Sequence, residues 1–220
     1  MSIATRPNTA VKAETTPTTV AARRDWAWTV SGLIAAALMA VAAFSPLWVM
    51  KLTAPQYPDG LTLTAYGTRM DGDLAEINEL NHYIGIRAIQ PDSVTELKLF
   101  PFVMAALVVA VVAGAVFVRG WRPRAVLAAA VWSIPIGMLI DMQWWLYSYG
   151  HDIDHSAPLR VAPFTPRVLG ATKVMNFNSD AMVASGFWLM VAAAVVVSVA
   201  PWLVRFLWTS WNNTGDEAKA

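Results

Sequence analysis

The sequence predicts an all-α membrane protein: four transmembrane helices with a small α+β cap formed by two extracytoplasmic loops. The 220 residues are 56% hydrophobic and only 14% charged, and their mean hydropathy is +0.46. An average soluble domain carries about 25% charged residues. Four apolar segments also reach the length of about 20 residues that a membrane-spanning helix needs. Two long polar segments lie between them, which predicts the cap.

The four apolar segments are predicted to be helices because the bilayer core offers no water to unpaired backbone groups. None has a wide polar face, which is typical of helices that span a membrane rather than lie on it. The segments are 26–50, 100–118, 125–147 and 182–207. They divide the rest of the chain into a tail (1–25), an outer loop (51–99), a link (119–124), a second outer loop (148–181) and a second tail (208–220).

Basic residues next to the apolar segments predict the orientation, because short cytoplasmic flanks are enriched in Lys and Arg. These residues are Arg23, Arg24, Arg119, Arg122, Arg124 and Arg205. We therefore expect both tails on the cytoplasmic side of the plasma membrane and both long loops outside it. The first tail has few large apolar residues and is expected to be disordered. The first apolar run continues through Met50, which favours an uncleaved helix over a signal peptide.

Composition also limits the partners and the chemistry. The chain has no cysteine, which excludes disulfides and thiolate metal ligands. A net charge of +1 gives no reason to expect a nucleic-acid partner. The lipid bilayer is the first partner that this composition implies.

The first outer loop contains signals for a strand and a short helix. Residues 61–67, LTLTAYG, alternate apolar and polar side chains at the period of a half-buried strand. Asp73 followed by Glu76 resembles a capping box, and Gly85 is a plausible helix stop. Between them an apolar stripe recurs at helical spacing. On that helix His82 falls opposite the stripe and Asn81 borders it.

The second outer loop opens with YGHDIDH, which holds two of the three histidines of the chain. His151 and His155 would lie about 6 Å apart in a helix but about 13 Å apart in a strand. With Asp152 and Asp154 between them, the stretch is either a copper or zinc site or an ordinary polar turn stabilised by Asx turns. Both interpretations stay open at this point. The prolines of VAPFTP, further along the loop, favour an extended backbone.

A further polar feature is Asp141, which lies inside the third apolar segment. An ionisable side chain at that depth is costly and marks a functional-site hypothesis by default. The alternative is that Asp141 is neutral, or hydrogen-bonded to a neighbouring helix or to the cap.

Several of these stretches together resemble a known family. YPDGLTLTAYG, DLAEINELNHYIG, YGHDIDHSAPL, APFTP and the Asn176-Phe177 pair are similar to small bacterial integral membrane proteins associated with copper-enzyme gene clusters, such as those for nitrous oxide reductase maturation. The resemblance covers about residues 45 to 190, and LNHYIG is its most specific part. It implies a copper-linked accessory role with His82, His151 and Asp154 at motif positions. The family tolerates other residues in place of His155.

The sequence therefore predicts an accessory membrane protein that binds or relays copper, or supports assembly, for a copper-dependent enzyme on the extracytoplasmic face. The alternative is a structural auxiliary subunit of a larger oxidoreductase complex, such as a copper membrane monooxygenase. No nucleophile elbow, nucleotide loop or HExxH pattern indicates catalysis by this chain alone. The predicted metal residues are His82, His151, Asp154, His155 and Asp152, and further site residues are Asp141, Asn81 and Asn176.

Overall fold

Residues 26–154 and 156–217, which the computed structural model describes, form five α-helices and five β-strands. The helices are α1 (Trp26–Ala42), α2 (Leu74–Ile84), α3 (Thr95–Phe117), α4 (Trp121–His151) and α5 (Ser185–Glu217). The strands are β1 (Trp48–Ala54), β2 (Tyr57–Ala65), β3 (Met70–Gly72), β4 (Gly170–Val174) and β5 (Phe177–Val183). A short 3-10 turn, Pro91–Ser93, precedes α3.

The strands form one antiparallel sheet in the order β3-β2-β1-β5-β4. The central strand β1 pairs with β2 on one side and with β5 on the other, so that Met50 lies between Leu63 and Ala181. The hairpins β1–β2 and β4–β5 are distant in the chain. They are joined because β1, the first strand of one hairpin, pairs with β5, the last strand of the other. The two predicted outer loops therefore fold as one cap.

The core of the cap lies between the sheet and α2. Leu61, Leu63 and Ala65 are buried at alternate positions of β2, as expected for a strand with one covered face. Trp48 is 2% exposed, and Ile77 of α2 packs in the same cluster. Burial of these side chains holds the sheet against the helix.

A second core joins α1, α3, α4 and α5. Helices α1 and α3 approach closely where Gly32 faces Ala115, which is the small-residue packing common between membrane helices. The indole of Trp28 donates to the carbonyl of Gly114 over 3.0 Å, and the Thr29 hydroxyl donates to the carbonyl of Ala115 over 2.9 Å. The start of α1 is therefore level with the end of α3.

The predicted all-α class with four transmembrane helices is wrong. The described residues contain a five-stranded sheet, and two of their helices, α3 and α4, are long and apolar enough to cross a membrane. Helix α1 and the apolar part of α5, Ser185–Ala200, are shorter. The physical reason is that two predicted spans each combine a helix with a strand. The first, 26–50, leaves the helix after Ala42 and enters β1 at Trp48, and the last, 182–207, begins inside β5.

The other two predicted spans correspond to longer helices. Segment 100–118 is extended at its start, because α3 begins at Thr95. Segment 125–147 is extended at both ends, because α4 runs from Trp121 to His151. At 1.5 Å per residue, α3 with 23 residues is about 35 Å long and α4 with 31 residues about 47 Å.

The strand and the helix predicted in the first outer loop are present as β2 and α2. Gly85 ends α2 in the left-handed conformation, with φ of 81°, as its glycine signal predicts. The predicted capping box is absent at this helix, since the Asp73 side chain makes no cap hydrogen bond. Asp73 instead accepts a hydrogen bond of 2.7 Å from the backbone amide of Thr62, which ties the helix start to β2.

Candidate functional site

The end of α2 is joined to the segment that follows α4. The backbone amide of Asp154 donates to the carbonyl of Gly85 over 2.7 Å, and Ile86 forms an isolated antiparallel β-bridge with Ile153. Ile153 is buried. We call this contact of residues 82–86 with residues 151–154 and 156–159 the loop junction. It brings the end of α2, which carries His82, next to the segment that carries Asp154.

His82 lies on the exposed face of α2 at this junction. The stripe of Ile77, Leu80 and Ile84 is buried on the other side of the helix, as the helical spacing predicts. The next residue, Tyr83, accepts a hydrogen bond of 3.2 Å from the backbone amide of Leu159. The backbone around His82 is thus held while its side chain faces outward.

His151 is the last residue of α4 and is also exposed. Its Nδ1 atom lies 2.9 Å from the carbonyl oxygen of Tyr147, and its ring stacks on the Tyr147 ring with 3.9 Å between centroids. A proton on Nδ1 satisfies this contact and leaves the lone pair of Nε2 as the metal-binding position.

The two aspartates beside His151 are engaged differently. Asp152 forms an exposed ion pair of 3.4 Å with Arg87. Asp154 accepts hydrogen bonds from the backbone amide of Ser156, at 2.8 Å, and from its hydroxyl, at 2.7 Å. The second pattern is the Asx turn that the sequence left open as an alternative. His155 lies outside the described residues.

The predicted ligands do not converge into a preformed cage. Among residues 26–154 and 156–217, no group of three or more His, Asp or Glu side chains is placed to hold one metal ion. The structure brings together the backbones that carry His82 and Asp154, and it places His151 three residues before Asp154 at the end of α4. Copper binding by these side chains stays a prediction.

The remaining predicted residues lie at a hairpin turn of the sheet and around a cavity. Asn176 is exposed in the two-residue turn between β4 and β5, beside Met175 with its positive φ of 53°. Asn81 and Asp141 both line a cavity between the sheet and the helices, away from the exposed histidine side chains.

Two structurally important amides were missed by sequence reasoning. The side chain of Asn78 both accepts from the amide of Ile89, at 2.7 Å, and donates to its carbonyl, at 3.1 Å. Gln143 donates to the carbonyl of Pro166 and accepts from the amide of Val168, each at 3.0 Å. The available signal was the presence of Gln143 in an apolar segment, where a polar side chain needs a partner.

No protein-family model matches this chain, and no curated protein is similar to it in sequence. Its class follows from the fold alone: a helical protein with two helices long and apolar enough to cross a membrane, which carries a five-stranded antiparallel cap.

Proposed function

We propose that this protein is an accessory membrane protein that binds or relays copper for a copper-dependent enzyme, and that the loop junction carries the site. The supporting observation is the pair of backbone contacts, Asp154 to Gly85 and Leu159 to Tyr83, which fixes the turn after His82 against the segment after α4. The resemblance to proteins of copper-enzyme gene clusters supports the same function.

The residues at the junction have suitable chemistry. Imidazole nitrogen and carboxylate oxygen are ligands for Cu(II), which favours tetragonal sites. His82 and His151 are both exposed, and the Tyr147 carbonyl orients the His151 ring.

We further propose that α3 and α4 cross the cytoplasmic membrane as a hairpin, with the cap outside. Only 22% and 11% of the residues in their most apolar windows are buried. The core helix of a soluble protein would be mostly buried, so a bilayer is the natural cover for these side chains. Arg119 and Arg122 at the tight link favour the cytoplasmic side for that end of the hairpin.

Helices α1 and α5 pack against the α3–α4 hairpin. Trp28, near the start of α1, contacts Gly114 near the end of α3. Trp132 of α4 donates to Ser198 of α5 over 3.2 Å, so α5 runs alongside α4 and away from the sheet.

Copper titration of the detergent-solubilised protein, followed by electron paramagnetic resonance, tests the metal proposal. We expect a Cu(II) signal with nitrogen hyperfine structure that is weakened in His82→Ala and in His151→Ala. Asn178→Ala, at an exposed position of β5 elsewhere in the cap, is the matched control and should bind copper as the unaltered protein does. A signal that survives both histidine substitutions, or no uptake at all, would refute the junction site.

The second candidate is a structural subunit of a membrane complex, and the low burial of α4 favours it. Outward-facing side chains such as Trp144, 58% exposed, would then pack on partner helices. Copurification of a stable partner that is unaffected by His82→Ala and His151→Ala would select this function over copper relay.

A further inference from the structure

A cavity of about 440 Å³ lies between the sheet and helices α2, α3 and α4. This volume is within the range of about 300–1,000 Å³ that is typical of small-molecule sites. Its wall is mostly apolar and consists of side chains from the sheet, from α2 and from the two long helices α3 and α4. Representative members are Met50, Leu80, Phe100, Met138 and Phe177.

Hydroxyl side chains of α4, β4 and β5 line part of this cavity. Two carboxylates and one carboxamide from three different helices also reach it. They are Asn81 of α2, Glu96 in the first turn of α3, and Asp141 of α4. The two carboxylates are near enough for their charges to interact. A few polar groups on an apolar wall are the usual arrangement by which a pocket orients a ligand.

Glu96 is exposed and Asp141 is partly buried at the cavity wall. Within the described part of the chain, neither Glu96 nor Asp141 forms a hydrogen bond or an ion pair with another residue, and no Lys, Arg or His lines the cavity. A partly buried carboxylate such as Asp141 is costly unless something satisfies it. An ionised carboxylate only accepts hydrogen bonds, so a suitable ligand must donate them.

The mouth of the cavity faces the side of the helical hairpin. Leu99 and Val103 both line the cavity and are 55% and 48% exposed. They lie on the first turns of α3, at the end near the cap. If α4 enters the membrane at Trp121, about 20 residues take it across, and Asp141 falls at the outer boundary of the hydrocarbon. An apolar molecule in the outer leaflet can therefore reach the cavity sideways.

We propose that this cavity binds one lipophilic molecule whose hydrogen-bond-donating head group, an amine or a hydroxyl, is held by Asp141 and Glu96. The apolar chain fills the space between the sheet and α3, and the head lies at the level of the membrane boundary. An anionic head group is rejected, because it would meet two carboxylates with no compensating cation in the wall. This site goes beyond the copper proposal and uses none of its residues.

Native mass spectrometry of the full chain in lipid nanodiscs tests this with three probes of equal chain length: dodecylamine, dodecanol and dodecanoate. We expect one bound molecule of the amine or of the alcohol, and at least tenfold weaker binding of the acid at neutral pH. If the amine binds more strongly than the alcohol, and the double variant Asp141→Asn and Glu96→Gln loses this binding, the head group is cationic. Equal binding of the amine and the alcohol identifies a hydroxyl-type donor.

Gly137→Phe is designed to fill the cavity from α4. Gly137 lines the cavity, and a Cβ atom added there would have no other atom within 4 Å. We expect this variant to weaken the binding of both donor probes at least tenfold, with unchanged helix content. Ile140→Phe, on the outward face at 66% exposure, is the matched control and should bind normally.

Two results would overturn the proposal: binding of dodecanoate as tight as that of dodecylamine and dodecanol, or binding of the donor probes that persists in Gly137→Phe. His82→Ala separates this site from the copper proposal, because it should leave probe binding unchanged whether or not copper binding is lost.

Discussion

The backbone amide of Asp154 and the carbonyl of Gly85 form a 2.7 Å hydrogen bond that connects the two halves of the cap. Gly85 can take part because it lies in the left-handed region, at φ of 81°. A Cβ atom at this position would lie 2.5 Å from the Asp154 carbonyl oxygen. The loop junction therefore depends on the absence of a side chain at residue 85.

Gly85→Ala should lower the free energy of unfolding by about 2 kcal/mol or more, because it adds left-handed strain of about 1–2 kcal/mol to a backbone contact. Thermal unfolding in mild detergent measures the effect. Gly137→Ala, a helical glycine with open space around it, is the control and should be neutral or stabilising by up to about 1 kcal/mol. Equal behaviour of the two variants would contradict the role of Gly85.

Asn78→Ala should destabilise the segment between α2 and α3, because it removes both hydrogen bonds to Ile89. We expect a loss of about 1–3 kcal/mol and faster hydrogen exchange at the Ile89 amide. Asn78→Asp keeps the acceptor and loses the donor, so its effect should be intermediate. If Asn78→Ala is as stable as the exposed-turn variant Asn176→Ala, the clamp on Ile89 contributes nothing.

Gln143→Leu should release the second outer loop from α4. The side chain holds Pro166 and the amide of Val168, and Val168 in turn accepts a 2.7 Å hydrogen bond from the Trp48 indole. We expect faster tryptic cleavage after Arg167, since that bond includes the Val168 amide. Gln90→Ala, at an exposed side chain, should leave the cleavage rate unchanged, and an unchanged rate in Gln143→Leu would refute the tether.

Asp152→Asn should have little effect on stability or on copper binding, because its exposed ion pair with Arg87 is worth about 0–1 kcal/mol and is screened by salt. Arg87→Ala should cost more, since Arg87 also donates to Ser148 and lies 4.5 Å from the Tyr149 ring centroid. Unfolding measured at low and high salt separates the ion pair, which salt screens, from the other contacts of Arg87. A large loss of bound copper in Asp152→Asn would instead make this residue a ligand.

Gly32→Leu should disrupt the contact between α1 and α3. Even a Cβ atom at residue 32 would lie 2.6 Å from the Ala115 Cβ, and overpacking of this kind costs about 1–3 kcal/mol. The expected result is a lower unfolding temperature in detergent. Val30→Leu, on the exposed side of the same helix, is the control, and equal losses in both variants would argue against close helix packing.

Local signals in the sequence located α2 and β2, because those elements depend on short-range features. Gly85 is a glycine that a left-handed helix end requires, and Leu61, Leu63 and Ala65 alternate with polar residues as a half-buried strand does. The same local reasoning placed His82 on the exposed face of α2.

Strands β1 and β5 escaped prediction for a physical reason. A strand near the centre of a sheet can be as apolar as a helix, and periodicity alone does not separate the two. Trp48 to Met50 continue the apolar run of α1, and Met182 and Val183 lead into that of α5. Only pairing with a partner distant in the chain, such as Trp48 with Val183, makes them strands.

The sequence by itself determined that this protein is dominated by apolar helices, that the segments between its apolar runs carry all three histidines, and that a glycine ends α2. Tertiary structure decided that the loops share one sheet, that the His82 turn meets the segment around Asp154, and that Glu96 and Asp141 face a common cavity. The reason is that composition and periodicity report on each segment alone. Pairing and enclosure arise only when distant segments bury their apolar faces together.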